Sequence, residues 1–112
     1  MQTSDSSIWA CGDCAEAKHI ITGKPVYIPL GTTVNKQGRV AGDNLAGGKE
    51  AFGGVLESAV TKIFQLFAAS TGLTKEQAAE NGYQAETAKA SYYPGIGENR
   101  ICLAFDTISG KV

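Results

Sequence analysis

Glycine and proline limit what this chain can fold into more than any other residues do. Fourteen of its 112 residues are glycine, which permits close backbone approach and left-handed turns but weakens regular elements. Gly23, Lys24 and Pro25, followed by Pro29, exclude a long helix or strand between residues 15 and 31. Four more glycines in residues 45–54, "LAGGKEAFGG", mark a linker or a tight connection. The chain thus divides into a glycine-rich half, residues 1–54, and residues 55–112, which pattern as a compact α+β unit. Its length suits one domain or parts of two.

Regular elements fit between these breaks. Ile8, Trp9 and Ala10 form a short apolar run that predicts a brief strand, ended by a turn at Gly12 and Asp13. From Thr32 or Thr33 the sequence predicts a helix with a Thr N-cap, apolar Val34, Val40, Ala41 and Leu45, and a glycine stop. Gly38 and Gly42 fall on one face of it, which predicts close packing against another backbone. Residues 55–72 fit either an amphipathic helix or a strand with Val60, Lys62, Phe64 and Leu66 alternating. "LTKEQAAENG" predicts a short helix, with Thr74 as N-cap, Gln77 completing a capping box and Gly82 as stop. "RICLAFDTISGKV" predicts a strand, a turn around Ser109 and Gly110, and the start of another strand.

The formal net charge of −1 gives no sign of a nucleic-acid or acidic-membrane partner. No apolar run approaches the roughly 18 residues of a membrane span, and the polar "MQTSDSS" is no signal peptide. Three cysteines, an odd number, suit a reducing cytoplasm rather than a secreted disulfide framework. Two of them, in "WACGDC", pose the main chemical question. A catalytic dithiol needs its first cysteine at a helix N-terminus. Here a broken loop follows, and Asp13 between the thiols disfavours a thiolate. Zinc would need a second paired motif, whereas only Cys102 and His19 remain. Two small thiols flanking a functional turn is the reading left. His19, in a loop beside Lys18, is expected to be exposed.

Residues 3–13, "TSDSSIWACGD", run Thr, four residues, Ile, aromatic, Ala, any residue, Gly, Asp. This resembles the second FAD-binding motif of flavoproteins with two dinucleotide-binding domains. The continuation "TGKPVYIPLGTTVNKQGRVAGDNLAGG", with "STGLT" and "YYPG" beyond it, narrows the likeness. The sequence is similar throughout to the NADH oxidase, NADH peroxidase and coenzyme A-disulfide reductase branch of the pyridine nucleotide-disulfide oxidoreductases. On this resemblance neither Cys11 nor Cys14 is the family's redox cysteine.

The resemblance implies a definite chemistry. Asp13 would accept a hydrogen bond from a ribityl hydroxyl of FAD, and an ionised acceptor makes the stronger bond. Gly12 would let the backbone come close to the cofactor. Leu30, Gly31, Thr32 and Thr33 would present a helix N-terminus to the flavin pyrimidine edge, its free N–H groups and positive dipole stabilising negative charge there. Plain helix capping by the two threonines is compatible with that role. Tyr92 or Tyr93 would reach the active site of a partner subunit, or pack at the dimer interface with a wet hydroxyl.

The implied architecture is an α+β fragment. Residues 1–54 would end a Rossmann-like FAD-binding domain, and residues 55–112 would begin an α+β dimerisation domain that opens with a long strand, which favours strand over helix for residues 58–68. The family's Gly-x-Gly-x-x-Gly turn, redox cysteine and NAD(P) domain have no counterpart in this sequence. The expectation is therefore a C-terminal fragment, inactive alone, of a cytoplasmic homodimer that uses FAD, with NAD(P)H as co-substrate. Electrons would pass through a cysteine centre to a disulfide, persulfide, peroxide or oxygen. The rest of the flavoenzyme chain would be its first partner. A flavin-free dimerisation or assembly module is the alternative, and a small Cys-x-x-Cys redox protein a more distant one.

Overall fold

A computed structural model describes residues 1–92, 99–110 and 112 as two compact units, Met1–Gly72 and Leu73–Val112. The fold is α+β. The glycine-rich stretch 45–54 lies inside the first unit.

That unit opens with a single antiparallel bridge, Gln2 to Trp9, in place of the expected strand. The reversal between them is tied locally, Asp5 Oδ1 accepting from the Ser7 N–H and the Thr3 N–H donating to the Ile8 carbonyl. A 3-10 turn follows at Gly12–Cys14, then two two-residue strands, β1 (Ala17–Lys18) and β2 (Pro25–Val26), paired antiparallel. Helix α1 runs Gly31–Leu45. It starts earlier than a threonine cap predicts. Leu30 is the N-cap, in extended conformation and with no side-chain bond, because its carbonyl already accepts from the Thr33 and Val34 N–H groups. Gly38 and Gly42 are exposed, and a Cβ on either would meet nothing within 4 Å, so the close packing expected of them is absent among the described residues.

The returning chain closes on β1. Val55 donates to the Lys18 carbonyl and accepts from the Ile20 N–H, each at 2.9 Å, which brackets a parallel bridge between His19 and Val55. Glycine is obligatory beside it. Gly54 has φ +95°, and a Cβ there would lie 2.5 Å from the Lys18 carbonyl oxygen. His19 is consequently not exposed but 1% accessible, which corrects the expectation from sequence.

Residues 58–68 are mostly strand rather than helix, as the resemblance implied, but not one long strand. β3 (Ala59–Ile63) and β4 (Leu66–Ser70) form an antiparallel hairpin, with Ile63 opposite Leu66. The chain reverses at Phe64 and Gln65, and Phe64 takes a left-handed φ of 53°. Lys62 sits opposite Phe67 with its ammonium 5.2 Å from the ring centroid, a favourable cation–π distance. Ser58 and Thr71 share a 2.6 Å hydroxyl bond at the open end.

The second unit holds α2 (Lys75–Glu80) and the hairpin of β5 (Ala85–Tyr92) with β6 (Asn99–Asp106), in register from Ala85–Asp106 to Tyr92–Asn99. The capping box is present as expected: Thr74 Oγ1 accepts from the Gln77 N–H, and Gln77 Oε1 accepts from the Thr74 N–H. β5 was not expected. After β6 the chain turns, and no further strand follows among the described residues.

Two outcomes test this reading. Thr74→Ala removes one arm of the box and should cost about 1 kcal/mol in urea unfolding. Three carboxylates in this unit, the exposed Glu76 and Glu86 and the half-buried Asp106, are held below their ordinary range. Asp106 accepts from the Ser109 hydroxyl and N–H, Glu86 from the Lys75 ammonium, and Glu76 from its own N–H and the Thr74 hydroxyl. A carboxyl whose folded value is depressed stabilises the fold above its unfolded value and ceases to do so as pH falls through the folded one. The melting temperature should therefore drop below about pH 4, and less steeply in Asp106→Asn.

Candidate functional site

The two stretches singled out in the first half meet in space. The Gly12–Cys14 turn packs on α1 through one buried hydrogen bond, in which the Gly12 N–H donates to Gln37 Oε1 at 2.7 Å. Gln37 is 1% accessible, and its Nε2 has no hydrogen-bond partner among the described residues. Gly12 has φ +83°, a conformation that favours glycine, and a Cβ there would make a tight 3.3 Å contact with Val34 Cγ1. The Ala15 N–H returns to the Gly12 carbonyl at 3.0 Å and completes the turn. Asp13, at its apex, is exposed.

The N-terminus of α1 opens on a cleft of about 170 Å³ lined by Thr32, Thr33 and Lys36 on one side and Phe52, Val55 and Glu57 on the other. Thr33 is 8% accessible on this wall. The Thr33 N–H is not free, since it bonds to the Leu30 carbonyl at 2.9 Å. The N–H groups of Gly31 and Thr32 precede that first bond and have no partner within the helix. Together with Lys36 they give this wall a positive character. Glu57 faces it from a left-handed backbone position, φ 54°, the kind of strain that persists where the surroundings over-determine a residue.

The expected residues thus fall into separate places. Gly12 and Asp13 lie on the turn docked to α1, while Leu30 and Gly31 start the helix and Thr32 and Thr33 line the cleft. Asp13 is not among the cleft-lining residues. Tyr92 ends β5, exposed, in the second unit, and Tyr93 lies outside the described residues. Sequence reading missed Gln37, because a hydrogen bond spanning 25 residues leaves no local signature. It also missed the setting of His19, whose Nδ1 accepts from the Thr22 N–H at 3.3 Å while the buried Nε2 has no partner among the described residues.

Gln37→Leu keeps the bulk but strands the Gly12 N–H in a buried position. It should destabilise the chain by about 1–3 kcal/mol, and Gln37→Glu, which keeps an acceptor oxygen, should restore the slow amide exchange of Gly12.

No family model matches the chain. It is 48% identical over 101 residues to the CoA-dependent NAD(P)H sulfur oxidoreductase of Pyrococcus furiosus, an alignment covering 85% of this chain and 23% of that protein. Among solved structures, the NAD-dependent persulfide reductase of A. fulgidus superposes with a TM-score of 0.88 at 41% identity, over 96% of this chain and 21% of that one. An FAD-dependent pyridine nucleotide-disulphide oxidoreductase from Desulfovibrio vulgaris gives 0.79 at 40% identity, over 95% and 25%. The chain spans about a quarter of the length of the relatives it matches. Over that span it belongs to the pyridine nucleotide-disulfide oxidoreductases.

Proposed function

We propose that this chain supplies the flavin-facing turn and helix of an FAD-dependent NAD(P)H oxidoreductase, together with part of its subunit interface. The observation that carries the reading is the Gly12–Gln37 bond, which seats the turn bearing Asp13 on the same helix whose N-terminus opens on the cleft. The residues present suit FAD. Asp13 is an exposed carboxylate able to accept from a polyol hydroxyl, and Gly12 leaves the backbone free of a side chain beside it. The N–H groups of Gly31 and Thr32, which have no partner within the helix, and Lys36 favour an electron-rich ligand edge at the mouth of α1. The buried Nε2 of Gln37 is a donor with no acceptor among the described residues.

When bound, FAD would supply hydride acceptance from NAD(P)H and electron delivery to a sulfur or oxygen acceptor. This chain's residues would hold and orient it and place positive potential where electron density accumulates. The acceptor is a persulfide, disulfide, peroxide or oxygen, chosen by residues outside this stretch. That the chain resembles a sulfur oxidoreductase and a persulfide reductase favours a sulfur species.

A role in subunit assembly rests on apolar exposure. Every residue of β3 and β4 is exposed, and Val60, Ile63, Leu66 and Phe67 are among them. Surfaces of this kind mark an interface. The rest of the flavoenzyme and a second subunit would cover them, with Tyr92 and Tyr93 close to the partner's site.

Replacing the matching quarter of the P. furiosus protein with this chain tests the reading. The chimera should purify with bound FAD, and Asp13→Ala should lower its flavin content at least severalfold. A folded chimera devoid of flavin would sink the proposal. The 112-residue chain alone should show no NAD(P)H oxidation.

A further inference from the structure

Cys11 and Cys14 flank the Gly12–Asp13 turn, and neither takes part in the function proposed above. Their geometry is nevertheless specific. The 3-10 turn begins from Cys11 and ends at Cys14. Cys11 is the extended N-cap of the turn and Cys14 its last residue, three positions on. The Cys14 side chain already points back across the turn, its thiol donating to the Cys11 carbonyl at 3.3 Å. Cys14 is exposed, Cys11 is half-buried, and both are free thiols. The Gly12–Gln37 and Ala15–Gly12 bonds hold the turn on which Cys14 packs back against Cys11.

We propose that Cys11 and Cys14 form a reversible disulfide by exchange with a low-molecular-weight disulfide, making this turn a redox modification site. The exposed Cys14 attacks first. Its thiolate forms a bond to one sulfur of the reagent RSSR, the S–S bond breaks, and RSH leaves after taking up a proton. Cys11, as thiolate, then attacks Cys14 Sγ and expels the second RSH. Two protein thiols are oxidised, one small disulfide is reduced to two thiols, and atoms and electrons balance. The second step is intramolecular, and proximity of this kind is worth many molar in effective concentration. Ring closure should therefore outrun a second adduct. On the flavin reading the bond would stiffen the turn that presents Asp13, coupling the cofactor site to the thiol–disulfide poise of the surroundings.

The test uses the whole 112-residue chain with excess oxidised glutathione, read by mass spectrometry after trypsin. Cleavage leaves Cys11 and Cys14 together in residues 1–18 and Cys102 apart in residues 101–111. The expected result is loss of two hydrogens from the 1–18 peptide, reversed by a reducing agent. In Cys11→Ser the same peptide should instead retain one glutathione, on Cys14, and the chain should stay folded by circular dichroism. A 1–18 peptide that carries two glutathiones, stays reduced while Cys102 is modified, or crosslinks to Cys102 would overturn the proposal. None of these readouts involves flavin, so failure here is separable from failure of the flavin reading.

Discussion

The first unit depends on one hydrogen bond, from the Gly12 amide to the Gln37 side chain. Its buried apolar side chains are few and small, Ala17, Ala41 and Val55, whereas its most buried large side chains are the polar Gln37 and His19. Leaving a buried donor unpaired costs about 1–3 kcal/mol, which matches the roughly 1.5–3 kcal/mol of burying a large aliphatic side chain. In a unit with so little apolar burial, that single polar contact weighs as much as a core residue would elsewhere. It also sets the orientation of the turn to the helix, so stability and site geometry rest on the same atoms.

The scarcity of buried apolar side chains has a counterpart at the surface. An ordinary apolar share of the sequence is displayed rather than enclosed, with Val60, Phe64, Leu66 and Phe67 on one hairpin and Ile101 and Leu103 on another. Phe64, 93% accessible, occupies a left-handed turn position that costs a non-glycine residue about 1–2 kcal/mol. A chain folding for its own sake gains nothing from such an arrangement. On the function proposed above, other protein surface would complete these apolar faces. Among the described residues no helix is long and apolar enough to cross a membrane.

What was legible in the sequence was local. The capping box of α2 is visible because Thr74 and Gln77 satisfy one another within a single turn. Most of α1 follows from its apolar spacing, but its start was displaced onto the threonines, since a leucine cap carries no side-chain signal and only the carbonyl geometry of Leu30 decides it. β5 escaped notice because "AETAKASY" is rich in residues of poor strand propensity, and it is extended by virtue of its pairing with β6. The reversal at Phe64 and Gln65 was hidden for the complementary reason that neither residue is a usual turn former.

The same division holds for the candidate site. The sequence by itself determined the Gly-Asp turn, the helix that follows it and the family they resemble, because each is written in residues close together along the chain. Only the tertiary structure decided that Gln37 seats the turn, that His19 is buried against Val55, and that Thr32 and Thr33 face a cleft closed by residues 52–58. Those facts depend on contacts between residues 20 to 40 positions apart. Such contacts are fixed by the pairing of backbone groups with buried side chains, which no local pattern of residues encodes.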